Sequence, residues 1–343
     1  MNTLLLQILI ASSSTFIAIY LLRPFAISID LVDKPNSRKP HKGSIPLIGG
    51  IAMFLALIIS ILVSSYSLNQ YNYFLLATLI LVIIGVLDDH QNISVSLRLV
   101  FQLLVALIIV TVGDMTINSL GNLLGGGEII LDRWAYFITI VALIGGMNAV
   151  NMADGIHGLS GGNSLITFLA MVYLSVEDIY IAIIFCSILP VFLIYNLCIG
   201  VSESKRIFMG DAGSMLIGVA IVWTLIEQSQ GANKSFAPVT ALWLFGVPLI
   251  EMATSILRRI TSGKSPFKPD LSHSHHLLIR LGIREKNTLQ LMLLISLFMA
   301  IIGILGELYN VAEWVMLIGF ILIFGIYFFS HNMVMRRVDI LGK

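Results

Sequence analysis

The sequence predicts an all-α fold, a polytopic transmembrane helical bundle of about eleven spans. Three observations lead there. Hydrophobic residues make up 57% of the 343 residues and charged residues only 11%, whereas a soluble domain is about a quarter charged. The apolar residues come in runs close to the ~20 that a helix needs to cross a bilayer. These runs are too long and unbroken for the ~10-residue alternating segments of a membrane barrel. In hydrocarbon every backbone N–H and C=O must be paired inside the protein, so helices are the solution that remains.

In chain order the candidate spans cover residues 3–22, 46–65, 72–87, 97–113, 134–147, 159–175, 179–198, 213–227, 237–257, 288–306 and 313–330. The first is read as a retained span and not a cleaved signal peptide, because no basic residue precedes it and Arg23 follows it. The runs at 72–87, 134–147 and 213–227 are short, so their ends are the least fixed. Cys186 and Cys198 fall in one run, where they read as packing residues and suggest neither a disulfide framework nor a metal cluster.

Lys and Arg set the orientation. Eighteen of the twenty lie in alternate loops and at the C-terminus, and only Arg133 and Lys234 lie on the other side. Basic side chains resist translocation and favour the anionic cytoplasmic leaflet, which predicts an outside N-terminus and a cytoplasmic C-terminus. The chain reads as one integral membrane domain, 1–343, with cytoplasmic loops at 23–45, 88–97, 148–158, 199–212 and 258–287 forming the active site. The formal charge of +1 hides this asymmetry. No Walker A sequence is present, which argues against P-loop ATP hydrolysis, and no basic tail suggests nucleic acid.

The chemistry-bearing residues concentrate in those loops. The first reads DKPNSRKPHKGSIPLIGG from Asp33 to Gly50 and includes Lys42; it is either a basic anchor for lipid headgroups or a phosphate-handling loop. The second begins Asp88-Asp89-His90-Gln91-Asn92. Two adjacent carboxylates at a membrane boundary need a compensating cation, supplied by Lys or Arg in a solvated loop or by a bound metal. In the third, Asn148, Asn151, Asp154 and His157 recur every three residues, which places them on one stripe if the segment is helical. Gly155 and Gly158 there are candidates for a helix break. The fourth carries Phe208-Met209-Gly210-Asp211-Ala212-Gly213-Ser214, where Asp211 is either a helix N-cap or a ligand. The fifth holds Arg258-Arg259 and then His273-Ser274-His275-His276. Without a thiolate or HExxH spacing the histidines match phosphate better than zinc. Glu251 lies within a span, where an ionisable group marks function or pairing with another helix. Acids, amides, histidines and cations together point to Mg²⁺-assisted chemistry on a phosphoryl substrate, because hard oxygen ligands suit Mg²⁺, which shares substrate phosphates.

This ordered set of motifs resembles the polyprenyl-phosphate N-acetylhexosamine-1-phosphate transferases, and most closely their WecA-type branch, over roughly residues 30–315. The HSHH stretch is similar to the HIHH signature of that branch, which favours a UDP-N-acetylhexosamine donor. The resemblance implies a sugar-1-phosphate transferase of class 2.7.8 in the bacterial inner membrane. Its substrates would be undecaprenyl phosphate and UDP-N-acetylglucosamine or a related UDP-sugar, with release of UMP at the start of O-antigen or lipopolysaccharide synthesis. It also implies Mg²⁺, with Mn²⁺ substituting, contacts with membrane lipids, and a homodimer. Asp88 and Asp89 match the DDxxD motif and Asp211 the Mg²⁺ ligand of GDxGS, which makes the three metal ligands. Asp88, Asp89, Asp154 and His157 are the catalytic candidates. Asn148, Asn151, Phe208, Arg258, Lys42, His273, His275 and His276 are the substrate-binding ones. Phe208 matches a residue stacking on uracil, and the histidines match a motif for donor phosphates. Asn92, His157 and Glu251 depart from the pattern, which usually has Asp at each position; His157 reverses the possible charge. Direct attack by the lipid phosphate is preferred over a covalent aspartyl intermediate. A secondary transporter, the alternative from another class, requires acids near mid-membrane and internal repeats.

Overall fold

The computed structural model describes residues 3–35, 43–63, 68–176, 179–266 and 272–340; the predicted substrate-binding Lys42 lies outside them. Among these residues thirteen α-helices follow in order: α1 (Thr3–Ser28), α2 (Gly49–Val63), α3 (Leu68–Gln91), α4 (Val95–Thr111), α5 (Ala135–Ala153), α6 (Leu159–Leu174), α7 (Tyr180–Asn196), α8 (Gly210–Ser229), α9 (Pro238–Leu244), α10 (Gly246–Thr261), α11 (Ser274–Arg280), α12 (Glu285–Leu308) and α13 (Glu313–Ile340). Two short strands, β1 (Val32–Asp33) and β2 (Ile45–Pro46), pair antiparallel between α1 and α2.

Each of the eleven apolar runs is helical over most of its described residues, so the protein is an all-α, multi-pass membrane protein. Among the described residues six helices are long and apolar enough to cross a bilayer, seven counting α9 with α10, while α2, α4, α6 and α7 are shorter. The run expected as one helix over 237–257 is two, bent by 84°. Pro248 explains the break, because it lacks an N–H and its ring crowds the carbonyl four residues back. Phe245, between the two helices, takes the non-helical angles φ −108° and ψ 21°.

Side-chain placement fits lipid. Leu322, Ile326 and Phe329 of α13 are 61%, 68% and 73% exposed, a stripe that water would penalise and acyl chains solvate. Hydroxyls inside the helices donate one turn back: Thr15 to the Ala11 carbonyl at 2.7 Å, Ser60 to Ala56 at 2.7 Å, Thr78 to Phe74 at 2.8 Å and Thr224 to Ala220 at 2.8 Å. Such bonds satisfy a polar group where no water is available.

The chain divides into two compact units. The first comprises Met1–Met115, Thr139–Met147 and Ile179–Thr224; the second comprises Thr116–Ile138, Asn148–Asp178 and Leu225–Lys343. In the first, α1 packs on α2 and α7, and α3 on α4. Its core includes Trp223, whose ring centroid lies 5.0 Å from Phe74. In the second, α12 packs on α6, α9, α10 and α11, and α13 on α9, α10 and α11. Trp243, Ile250, Met292, Met299 and Met316 are buried together there. Glu307, near the end of α12, accepts from the Ala237 N–H at 3.0 Å and the Thr240 hydroxyl at 2.7 Å. That supplies acceptors to the first turn of α9, whose own N-cap Ala237 has none to offer.

Candidate active site

The first unit gathers three acids around the start of α8. Asp88 and Asp89 stand near the end of α3, and Asp211 is the second residue of α8. Gly85, one turn before the acids, makes the approach possible: a Cβ there would stand 2.2 Å from the Ala212 Cα. The Asp211 N–H donates to Asp89 Oδ1 at 2.9 Å. This corrects the N-cap reading of Asp211, since the carboxylate that caps α8 belongs to Asp89 on another helix. Negative charge there is favoured by the partial positive charge of a helix N-terminus. The second Asp89 oxygen is buried and has no hydrogen-bond partner among the described residues.

Arg98, absent from the sequence-derived candidates, holds the cluster together. Its Nη1 donates to Asp88 Oδ2 at 2.9 Å and lies 3.9 Å from Asp211 Oδ1. The missed signal is an arginine in the first turns of the helix that follows the acidic pair, where a compensating cation was required but not located. Asn92 has a different duty. It sits at φ +50° and donates its N–H to the Asp88 carbonyl at 2.8 Å; asparagine tolerates this left-handed conformation. Phe208 is half-buried. Its N–H donates to the Pro46 carbonyl and its carbonyl accepts from Gly49 N–H, both at 2.9 Å. The Gly-Gly opening of α2 is therefore an attachment for the segment that leads into Asp211.

The second unit gathers the amide motif and the histidines. Asn148 and Asn151 lie in the last turns of α5, which ends at Ala153. The predicted stripe thus stops before Asp154 and His157. Asp154 takes φ −82° and ψ 45° outside the helix. His157 sits in the turn to α6, where its backbone N–H donates to Glu285 Oε1 at 3.3 Å. Gly158, at φ +79°, precedes α6, so the predicted helix break is present. Gly155 joins this loop to the histidines: a Cβ there would come within 1.9 Å of His275 Nε2. Two motifs about 120 positions apart in the sequence thus meet at a glycine.

The three imidazoles form one group. The His273 and His275 rings are stacked at 5.7 Å, and His275 and His276 lie 4.2 Å apart. His275 is fully buried and its Nε2 has no hydrogen-bond partner among the described residues. Burial first, then the neighbouring His276, pushes its pKa down to about 3, so the ring is neutral at physiological pH. Glu251 stands behind His273, its Oε2 3.6 Å from the ring Nδ1. Arg258 is half-buried in the last turn of α10; its neighbour Arg259 is buried and donates to the Pro266 carbonyl at 2.6 Å.

Among the described residues no three His, Cys, Asp or Glu side chains converge as a ready-made metal ligand set. The acids nevertheless fit Mg²⁺. That ion takes one or two carboxylates and completes its shell with water and substrate phosphates, and the unpartnered Asp89 oxygen beside Asp211 is the kind of hard donor it needs.

A multi-pass membrane fold that gathers acids and an arginine at helix ends is suited to holding a charged substrate at the membrane surface. The comparisons with known proteins agree. The model of the family described as glycosyl transferase family 4 matches residues 71–229, and the chain belongs to that family, whose matched region holds Asp88, Asp89, Arg98, Asp154 and Asp211. The chain is similar to proteins named undecaprenyl-phosphate alpha-N-acetylglucosaminyl 1-phosphate transferase. The Salmonella typhi protein is 39% identical over 91% of this chain and 87% of its own length. The Escherichia coli K12 protein is 38% identical over the same shares. The Haemophilus influenzae protein is 40% identical over 95% and 93%. The transporter alternative is set aside by this relationship.

Proposed function

We propose that this chain transfers N-acetylglucosamine 1-phosphate from UDP-N-acetylglucosamine to undecaprenyl phosphate and releases UMP. The observation that carries this reading is the near-full-length relationship to proteins named for that transfer. A terminal oxygen of the lipid phosphate attacks the sugar-bearing phosphorus of the donor, the bond to the bridging oxygen breaks, and UMP departs with the electron pair. A phosphate monoester with a second pKa near 6 is already largely ionised at neutral pH, so the step balances without a proton transfer and an aspartyl intermediate is unnecessary.

The task for the protein is to bring two anions together and hold the charge of the departing phosphate. Asp89 and Asp211 are the residues assigned to Mg²⁺, or to Mn²⁺ in its place; the ion would neutralise the diphosphate of the donor. Arg98 keeps Asp88 and Asp211 close despite their like charge. Asp88 orients the lipid phosphate, and the histidines of the second unit are assigned to the donor phosphates. The distribution of Lys and Arg supports a cytoplasmic C-terminus and a reaction on the cytoplasmic side of the bacterial inner membrane.

The test is direct. Purified protein is mixed with Mg²⁺, undecaprenyl phosphate and a panel of UDP-sugars, and UMP release is measured. UDP-N-acetylglucosamine is expected to be the preferred donor. UMP release with another UDP-N-acetylhexosamine alone would reassign the sugar, and no release from any donor ends the transferase reading.

A further inference from the structure

We propose that α13 is a positioning element for the histidine segment, with Tyr327 and His331 acting alongside Glu251 of α10. The two side chains lie four residues apart, hence on one face of the helix, and their rings stack at 6.2 Å. That face differs from the lipid stripe of Leu322, Ile326 and Phe329. His331 is buried, and its Nε2 lies 2.7 Å from the Ser272 carbonyl. A carbonyl only accepts, so Nε2 carries the proton and donates. The Tyr327 hydroxyl donates its single proton to Glu251 Oε1. Ser274 then donates to the Tyr327 oxygen, giving a relay from Ser274 through Tyr327 to Glu251.

Glu251 completes the clamp. Its Oε2 accepts from the Ser274 N–H at 3.5 Å and stands 3.6 Å from His273 Nδ1, which also lies 3.3 Å from the Ser255 hydroxyl. A carboxylate facing Nδ1 favours the proton on that nitrogen and turns Nε2 away from Glu251. The ionisable residue within the ninth span therefore has its partners: two side chains and one backbone group around the imidazole. Ser272 and Ser274 flank His273 on either side, so holding both fixes the ring between them. Tyr327 and His331 are absent from the sequence-derived candidates, because nothing in their local sequence marks them.

The functional consequence rests on the transferase reading; the structural consequence does not. Variants Tyr327→Phe, which keeps the ring stack, and His331→Leu are purified beside wild type. Donor and acceptor KM, the melting temperature, and hydrogen exchange of the peptide covering residues 272–280 are measured. The donor KM is expected to rise about tenfold or more, as when the partner that orients a binding imidazole is removed. The acceptor KM and melting temperature stay near wild type, and exchange over 272–280 quickens. His331→Gln, which retains an N–H at similar reach, restores most of the donor affinity. A donor KM within twofold of wild type in both variants overturns the proposal, as do parallel losses in both KM values and in melting temperature. If wild type releases UMP from no donor, the transferase reading fails by itself. Exchange over 272–280 then still decides the clamp, and unchanged exchange overturns it.

Discussion

The two clusters hold their polar groups by different means. In the first unit charge is set against charge, with Arg98 between Asp88 and Asp211 and Asp89 against a helix N-terminus. In the second, a neutral buried imidazole sits in a group anchored by a tyrosine, a serine and one carboxylate. A charge cluster keeps its geometry only while its signs balance, whereas a hydrogen-bonded cluster keeps it by shape. The first should therefore respond most to changes of charge, and the second to changes of volume or tautomer.

Asp211→Asn tests the first half of that contrast most severely. It removes the charge at the start of α8 while preserving size, and turnover with Mg²⁺ should fall about 1,000-fold, as for loss of a single transition-state electrostatic contact. Activity within about tenfold of wild type would remove Asp211 from the metal site. Gly155→Ala tests the second half by volume alone. The added methyl group must displace His275, whose Nε2 would be 1.9 Å away, and a misplacement of about 1 Å costs about 100-fold. Unchanged kcat/KM would show that the histidine group tolerates movement.

Arg98→Lys is milder. It keeps the positive charge but replaces a rigid fork with a point charge that cannot reach Asp88 and Asp211 in the same way. A loss of about tenfold in kcat is expected, smaller than that of Arg98→Gln, which leaves the buried Asp88 unpaired. Equal activity for the two variants would contradict the charge-balancing role.

At neutral pH the smallest effect on turnover is that of His275 protonation, which instead sets how stability depends on pH. His275 has a folded pKa of about 3 against an ordinary 6.5. Below about 6.5 the unfolded chain takes up a proton that the folded chain refuses, so stability falls as pH drops from 6.5 toward 3 and is unaffected above that window. Thermal unfolding in detergent at a series of pH values should show this slope, and His275→Gln should flatten it. A slope that persists in the variant would assign it to another group.

Much of the fold was legible because membrane helices are specified locally. Each run from 3–22 to 313–330 carries its own hydropathy signal, and lipid leaves the backbone no alternative to internal hydrogen bonds. The run 237–257 carries the signal of one span but is bent by 84° at a break, although Pro248 is visible in the sequence. A proline bends some apolar helices and only kinks others, and the neighbouring helices decide which. For the candidate site the acids, amides and histidines stood out as polar residues beside a bilayer, yet their alliances did not. The partner of Asp88 is ten residues away on another helix, the cap of α8 is an acid 122 positions earlier, and His331 reaches 59 positions back.

The sequence by itself therefore determined that this is a helical membrane protein with its chemistry gathered at helix ends, and which residue types take part. Those properties follow from composition and from spacings within one segment. Only the tertiary structure decided that Arg98 balances the acids, that Gly85 and Gly155 are the points of closest approach, and that Tyr327 and His331 stand behind the histidines. Such pairings depend on how each helix is rotated against its neighbours, and that rotation is set by packing across the unit, which no single segment encodes.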